Sequence, residues 1–207
     1  SRSTNIKCGI GGFKGRQLMD NDYLGFRIKR RYLPFFLSRH LEPDVFDQEE
    51  VTLRVVMGPQ DDCFTRQGKE TFLNNTYTVT NEFDRMGCRM EGPFIAHKTT
   101  ADIISDGIAF GAVQVPSHGK PIVLLSDRQT TGGYAKIATV ASVDIPKLVQ
   151  RKTEHKIRFS EISVEEAQEL MIEETKELNR LRTQIHQPCK EVLDCRLVAK
   201  RIAKLFD

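Results

Sequence analysis

No apolar run in this 207-residue chain reaches the roughly 18 residues that a transmembrane helix needs, so a single-helix membrane anchor within it is excluded. The opening Ser1-Arg2-Ser3-Thr4-Asn5 has no apolar segment behind it and does not read as a secretory signal. Charge of one sign is not in excess. Thirty-one Lys and Arg stand against 28 Asp and Glu, for a net +3, and no long basic run supplies a patch for nucleic acid. Cysteine is sparse and odd in number. Cys8, Cys63, Cys88, Cys189 and Cys195 include no pair at C-x-x-C spacing, which argues against a disulfide framework and against a cysteine zinc site. Free thiols in a reducing cytoplasm are the expectation. The five histidines, His40, His97, His118, His155 and His186, never fall three or four apart, so no helix-borne metal site is expected. There is no G-x-S-x-G elbow and no H-E-x-x-H. What is present is ordinary for a globular protein with a core: 39% hydrophobic and 29% charged residues.

The glycine-rich start, Cys8-Gly9-Ile10-Gly11-Gly12-Phe13-Lys14-Gly15, fails as a dinucleotide fingerprint. The third glycine would have to fall at residue 14, which is Lys14, and too few residues precede it for a strand. Turn and strand edge is the expected structure. Tyr23 to Ile28 reads as a short strand, followed by the basic triplet Lys29-Arg30-Arg31 and a proline-broken linker. The charged stretch from Leu41 to Glu50 reads as an exposed connection. From Val51 the pattern changes to short β-rich runs: 51–57, 76–80, 85–91, 109–115, 121–125, 137–141 and 156–159. Turn signals punctuate them, which indicates a barrel or sandwich, and helical periods are nearly absent between residues 51 and 159. Ser163-Val164-Glu165-Glu166 is a capping box. Val164, Ala167, Met171, Leu178, Leu181 and Ile185 then follow helical spacing up to Pro188. A helix packed on the barrel is expected here rather than a coiled coil. Residues 193–207 fit either a helix face or a strand pair. The expected organisation is a remnant of an N-terminal subdomain and linker over 1–48, a barrel over 49–160, and a C-terminal helix and tail over 161–207.

The chemistry concentrates in Asp127-Arg128-Gln129-Thr130-Thr131-Gly132-Gly133-Tyr134. Arg128 offers a planar fork for a carboxylate or phosphate, and Gly132 and Gly133 let the backbone approach a ligand closely. Such a loop suits a small anionic or amide substrate; a polar hairpin turning at Gly-Gly is the plain alternative. Arg85, Arg89 and Glu91 share one strand parity and form either a solvated exterior or the polar lining of a pocket. Gln114-Val115-Pro116 leads into the turn at Ser117 to Pro121. There, Gly119-Lys120 is not a Walker motif, because residue 114 is Gln and Pro121 follows the lysine. Cys88 lies between two arginines, but a buried structural thiol is the simpler reading.

Five strings occur in order: Gly11-Gly12-Phe13-Lys14-Gly15-Arg16; Val56 to Gln60; Asp84-Arg85-Met86-Gly87 with Glu91-Gly92-Pro93; Gln114-Val115-Pro116; and Asp127 to Tyr134 with Lys136-Ile137-Ala138. Together they closely resemble the allophanate hydrolase subunit 2 family. That family includes the C subunit of bacterial 5-oxoprolinase and the antagonist of the Kip sporulation-kinase inhibitor. The chain also resembles the carboxyltransferase domain of biotin-dependent urea carboxylase. Family members carry a further segment ahead of the glycine-rich start, so the resemblance implies a C-terminal portion. It implies a mainly β fold, a cyclophilin-like β-barrel with a C-terminal helical appendage. It also implies a cytoplasmic enzyme component that works on a small amide with two cognate chains. These are a related B subunit (allophanate hydrolase subunit 1, Kip inhibitor-like) and an A subunit. Neither a membrane nor nucleic acid is an expected partner.

On the oxoprolinase reading the complex uses ATP, bound on this chain or on another one, to open 5-oxoproline to glutamate. On the urea carboxylase reading a carboxyl group moves from carboxybiotin, with biotin carried by a partner. The catalytic candidates are Asp127, as base, and Arg128, as anion holder. Gln129 and Thr130 would orient the amide, Gly132 and Gly133 would admit it, and Tyr134 would close the pocket. Arg89, Glu91 and Gln114 complete the substrate-binding set, and no metal is expected. A third reading is a regulatory protein that sequesters its partner without turnover.

Overall fold

The computed structural model describes residue 4, residues 8–25 and 48–186, and residues 199 and 203. The chain divides into two units, Ser1–Arg39 with Pro188–Asp207, and His40–Gln187. In the first unit, residues 9–16 run as consecutive turns with a bridge at Ile10, as the glycine spacing leads one to expect. Gly15 closes this coil with its N–H on Gly11 O at 2.9 Å. Its φ is +67° and an added Cβ would strike Gly9 O, so only glycine fits. Arg16 donates to both oxygens of Asp22 at 2.7 and 2.8 Å. The strand expected at Tyr23 to Ile28 does not begin by Gly25, and its remainder lies outside the described residues, as do the 29–37 and 41–47 stretches. Ala199 and Ala203 are helical, and the rest of 193–207 lies outside the described residues.

The second unit is a closed seven-stranded barrel. Its chain order is β1 (Glu50–Met57), α1 (Arg66–Asn74), β2 (Thr76–Phe83), β3 (Gly87–Glu91), β4 (Asp102–Gly107), β5 (Ala112–Gln114), β6 (Ile122–Leu124), β7 (Thr131–Tyr134), β8 (Lys136–Val140), α2 (Ile145–Val149), β9 (Lys156–Glu161) and α3 (Val164–His186). The barrel runs β1-β8-β5-β6-β3-β2-β9, and β4 and β7 form a separate two-stranded sheet. Every pairing in the barrel is antiparallel except β9 with β1, which closes it in parallel from Glu50↔Lys156 to Val55↔Glu161. The closing strands alternate as a one-sided strand should: Leu53, Val55, Ile157 and Phe159 point into the core while their neighbours face out.

Two helices interrupt a region where helical periods are nearly absent from the sequence. Helix α1 starts at Thr65, whose Oγ1 accepts from Gly68 N at 2.9 Å. It is anchored by Phe72, which stacks on Phe159 with ring centroids 4.4 Å apart. Burial of that one ring contributes about 2–3 kcal/mol, enough to stabilise a nine-residue helix that its own periodicity does not announce. Helix α2 carries Pro146 in its first turn, where a missing N–H costs nothing. It follows Asp144, a fully buried carboxylate that accepts from Arg54 N and Nε at 2.8 Å, from Arg54 Nη2 at 2.6 Å and from Lys147 Nζ at 2.7 Å.

The capping box at the start of α3 is present: Ser163 Oγ accepts from Glu166 N at 3.1 Å and Glu166 Oε2 accepts from Ser163 N at 2.7 Å. The expected packing of this helix along the barrel is not. Ala167, Leu170 and Leu181 are half-buried, but Met171 and Leu178 are 57% and 60% exposed. The barrel closes through β1 and β9, so it has no open edge for the helix to cover; α3 neighbours the turn Ser142–Asp144. No helix among the described residues is long and apolar enough to cross a membrane.

Candidate functional site

Alternation along β5 sets up the site. Val113 and Val115 belong to the core, so Gln114 between them projects from the outer face of the barrel. It is nonetheless 6% exposed. Its cross-strand partner on β8 is Lys136, likewise flanked by the core residues Ala135 and Ile137, with a bulge shifting the register between Val113 and Gln114. The small β4–β7 sheet covers this patch. Gly132 of β7 pairs with Asp106 of β4. Any Cβ on Gly132 would lie 2.9 Å from Gln114 Nε2 and 2.7 Å from Ile108 Cδ1, so the missing side chain is what lets the strand lie over the carboxamide.

Below that cover the polar atoms form a short network. Lys136 Nζ donates to Asp106 Oδ2 at 3.1 Å, Gln60 Nε2 donates to the same oxygen at 3.1 Å, and Lys136 N donates to Gln60 Oε1 at 3.4 Å. The Lys136 hydrogen bond is the leading cause holding the Asp106 carboxyl below the usual carboxylate range, helped by Gly107 N and Gln60. Gln114 Nε2 is buried with no hydrogen-bond partner among the described residues. Buried amide nitrogens almost always have one.

The expected site residues distribute around this covered patch unevenly. Gln114 and Gly132 meet within it. Gly133, Thr131 and Tyr134 complete β7, with Tyr134 opposite Asp102 and 41% exposed. Gln129 and Thr130 lie in the turn before it, and Thr130 O accepts from Ile108 N at 3.0 Å. Arg128 turns inward to the backbone. Its Nε donates to Ile108 O at 3.0 Å, its Nη1 to Leu125 O at 3.3 Å, and the guanidinium sits 5.7 Å from the Phe110 ring centroid. Asp127 is held by a two-pronged pair with Arg85, both contacts 2.8 Å, and those bonds lower its carboxyl from the ordinary value. Arg89 lies in the same cross-sheet row as Gln114 with Ile122 between them, roughly two strand spacings away. Its guanidinium pairs instead with Glu82 at 2.8 Å. Glu91 faces Lys120 at 3.5 Å. Arg85, Arg89 and Glu91 thus lie along exposed, ion-paired surface, and Arg85 is the one that joins the Asp127 loop. Lys136, Asp106 and Gln60 were not singled out as site residues from sequence. The available signal was a lysine between two core residues in a strand, which has to be paired to be buried.

Cys88 is buried, and burial pushes its thiol up to about 12. Cys63 is also a free thiol, Cys8 is exposed, and Cys189 and Cys195 lie outside the described residues. Among the described residues no three His, Cys, Asp or Glu side chains gather as metal ligands.

A sequence profile of the carboxyltransferase domain, subdomain A and B, matches residues 1–161. The chain belongs to the carboxyltransferase domain family. Curated relatives include the 5-oxoprolinase C subunit of Escherichia coli (strain K12), 32% identical over 90% of this chain and 58% of the relative. The 5-oxoprolinase C subunit of Haemophilus influenzae is 34% identical over 82% of this chain and 53% of its own length. A putative urea carboxylase of Emericella nidulans is 27% identical over 92% of this chain and 16% of that protein. The chain spans about half the length of the two 5-oxoprolinase relatives. Among solved structures, the Kluyveromyces lactis urea carboxylase superimposes with a TM-score of 0.73 at 20% identity, over 92% of this chain and 18% of that one, which establishes the common fold.

Proposed function

We propose that this chain is the barrel-bearing part of the C subunit of a 5-oxoprolinase-type complex. The complex would act in the cytoplasm, with A and B subunits, and use ATP to open the lactam of 5-oxoproline to glutamate. The observation that carries the reading is the likeness to two 5-oxoprolinase C subunits, at 32% and 34% identity over most of this chain. The geometry supports it. A lactam presents one carbonyl acceptor and one N–H donor in a plane, and the buried Gln114 carboxamide beside Gly132 can meet such a group with a donor and an acceptor of its own. Gly133, Gln129, Thr130 and Tyr134 would line the entrance. Asp127 and Arg85 hold each other by two hydrogen bonds, and Arg128 braces the loop through Ile108 O and Leu125 O. For Asp127 to serve as base it would first have to part from Arg85, because a depressed carboxyl accepts a proton poorly near neutrality.

Among the described residues around this patch, Lys120 and Arg85 carry carboxylate partners and the two Arg128 nitrogens described above donate to backbone carbonyls, so a triphosphate would need a site elsewhere, on this chain or on a partner.

The second reading is biotin-dependent carboxyl transfer to urea or a similar amide. It is favoured by the putative urea carboxylase of Emericella nidulans, aligned over 92% of this chain. A ureido carbonyl would suit Gln114 as well as a lactam does. Purified complex assayed for ADP release with 5-oxoproline against urea separates the two. Release with 5-oxoproline alone supports the first reading. Release with urea that needs bicarbonate and biotin replaces it with the second, and a stable complex inert toward both makes the chain a regulatory partner.

A further inference from the structure

Lys136 is an ammonium that the barrel buries, its side chain 4% exposed, on the outer face of β8 across from Gln114. An ammonium has three N–H donors. Among the described residues a single acceptor meets Lys136 Nζ, the Asp106 carboxylate at 3.1 Å. Asp106 is held far less deeply. Its side chain is 54% exposed, and it stands on β4, whose positions 104 to 107 are all exposed. Next to this pair the Gln114 Nε2 donor is buried and unmatched. Donors are therefore concentrated beneath Gly132, and among the described residues the anion that meets Lys136 comes from a short, exposed strand, while Gln114 is met by none.

We propose that Lys136 and Gln114 form a binding site for the carboxylate of a small ligand, and that Asp106 fills the Lys136 half of this site as an internal substitute until the ligand arrives. A carboxylate is acceptor-only and has two oxygens, which matches one ammonium and one amide donor. The exchange is neutral in charge: one carboxylate replaces another, so the buried cation is never left unpaired, the arrangement that burial penalises most. Asp106, already half in solvent, moves out while keeping its contacts to Gly107 N and Gln60 within reach. The inference deepens the oxoprolinase reading and rests on it for the choice of ligand, because 5-oxoproline carries one carboxylate beside its lactam. Lys136 would take that carboxylate, and Gln114 would bridge it to the ring.

The test is a titration of the full chain, labelled with 15N at lysine side chains, with the Lys136 Nζ signal assigned by its loss in Lys136→Met. L-5-oxoproline, acetate and the neutral lactam 2-pyrrolidinone are the probes. Both carboxylates are expected to move the Lys136 signal, and 2-pyrrolidinone is not. Asp106→Asn, which removes the competing charge but keeps an acceptor, is expected to tighten 5-oxoproline by about five-fold, because more of the protein is competent to bind. Lys136→Met, shown folded by its unfolding midpoint, is expected to weaken it at least about ten-fold. The proposal is overturned if neither carboxylate moves the signal, or if Asp106→Asn weakens binding. If acetate moves the signal and 5-oxoproline does not, the carboxylate site stands and the oxoprolinase reading falls.

Discussion

Replacing Gly132 with alanine places a methyl group 2.9 Å from Gln114 Nε2 and 2.7 Å from Ile108 Cδ1. Non-bonded heavy atoms settle nearer about 3.5 Å, so the carboxamide must retreat by roughly half an ångström or more. Both obstructing atoms are the far ends of flexible side chains, and moving them off their preferred rotamers costs about 0.5–1.5 kcal/mol. The smaller entropy of the unfolded alanine chain offsets about 0.4–1 kcal/mol of that. Stability should therefore change by less than about 1 kcal/mol, read as the midpoint of urea unfolding. Binding should suffer more. A displaced Gln114 loses one aligned hydrogen bond to the ligand, about 1.5 kcal/mol or roughly ten-fold in affinity for 5-oxoproline. Gly133→Ala is the comparison. Its methyl would meet Ile103 O at an ordinary 3.5 Å, so a smaller loss is expected. Unchanged affinity in Gly132→Ala, or a loss in Gly133→Ala as large, would refute the placement of Gln114 at the ligand.

Asp144→Ala removes the acceptor of Arg54 N, Nε and Nη2 and of Lys147 Nζ, and should cost about 2–4 kcal/mol, because Arg54 is partly exposed and can be resolvated. Calorimetry should show a midpoint roughly 5–15 °C lower, and a change under about 2 °C would contradict the account. Burial acts to raise this carboxyl, but the bonds from Arg54 and Lys147 outweigh it and the net shift is downward. A depressed folded value means that the stabilisation is complete above the unfolded value of about 4 and is lost as pH falls through the folded one. The gap between wild type and Asp144→Ala should therefore close on acidification below about pH 4 and stay constant from about pH 6 to 8. In native protein at about pH 8, iodoacetamide should spare Cys88, whose thiol burial pushes up to about 12, and should modify it once urea unfolds the chain; comparable rates in the two states by mass spectrometry would contradict the buried placement.

Strands β1 and β9 were legible because Val51 to Met57 and Lys156 to Phe159 carry β-branched residues in near alternation. The β4–β7 pair was not. Asp102–Gly107 is almost wholly exposed and Thr131–Tyr134 contains two glycines, so neither shows a strand pattern, and both owe their form to lying over the barrel. Helix α1 escaped notice because, apart from Phe72 and Leu73, its residues are polar or small. The apolar stripe of α3 was plain in sequence, but sequence cannot say what lies beneath a stripe, and much of this one faces out. Within the site, Gln114 and Gly132 stood out by type. Asp106 and Gln60 did not, because a polar residue in a turn-rich stretch looks solvated until the fold brings it back onto Lys136.

The most direct test of the account is the rate of 5-oxoproline-dependent ADP release by the complete protein assembled with its partner chains, in wild type and in Gln114→Leu. Leucine keeps the volume and removes the amide, so the barrel should fold unchanged. The account predicts that kcat/KM for 5-oxoproline falls at least about ten-fold while the complex still assembles. A Gln114→Leu complex with the wild-type kcat/KM would show that the substrate amide does not meet this face of the barrel.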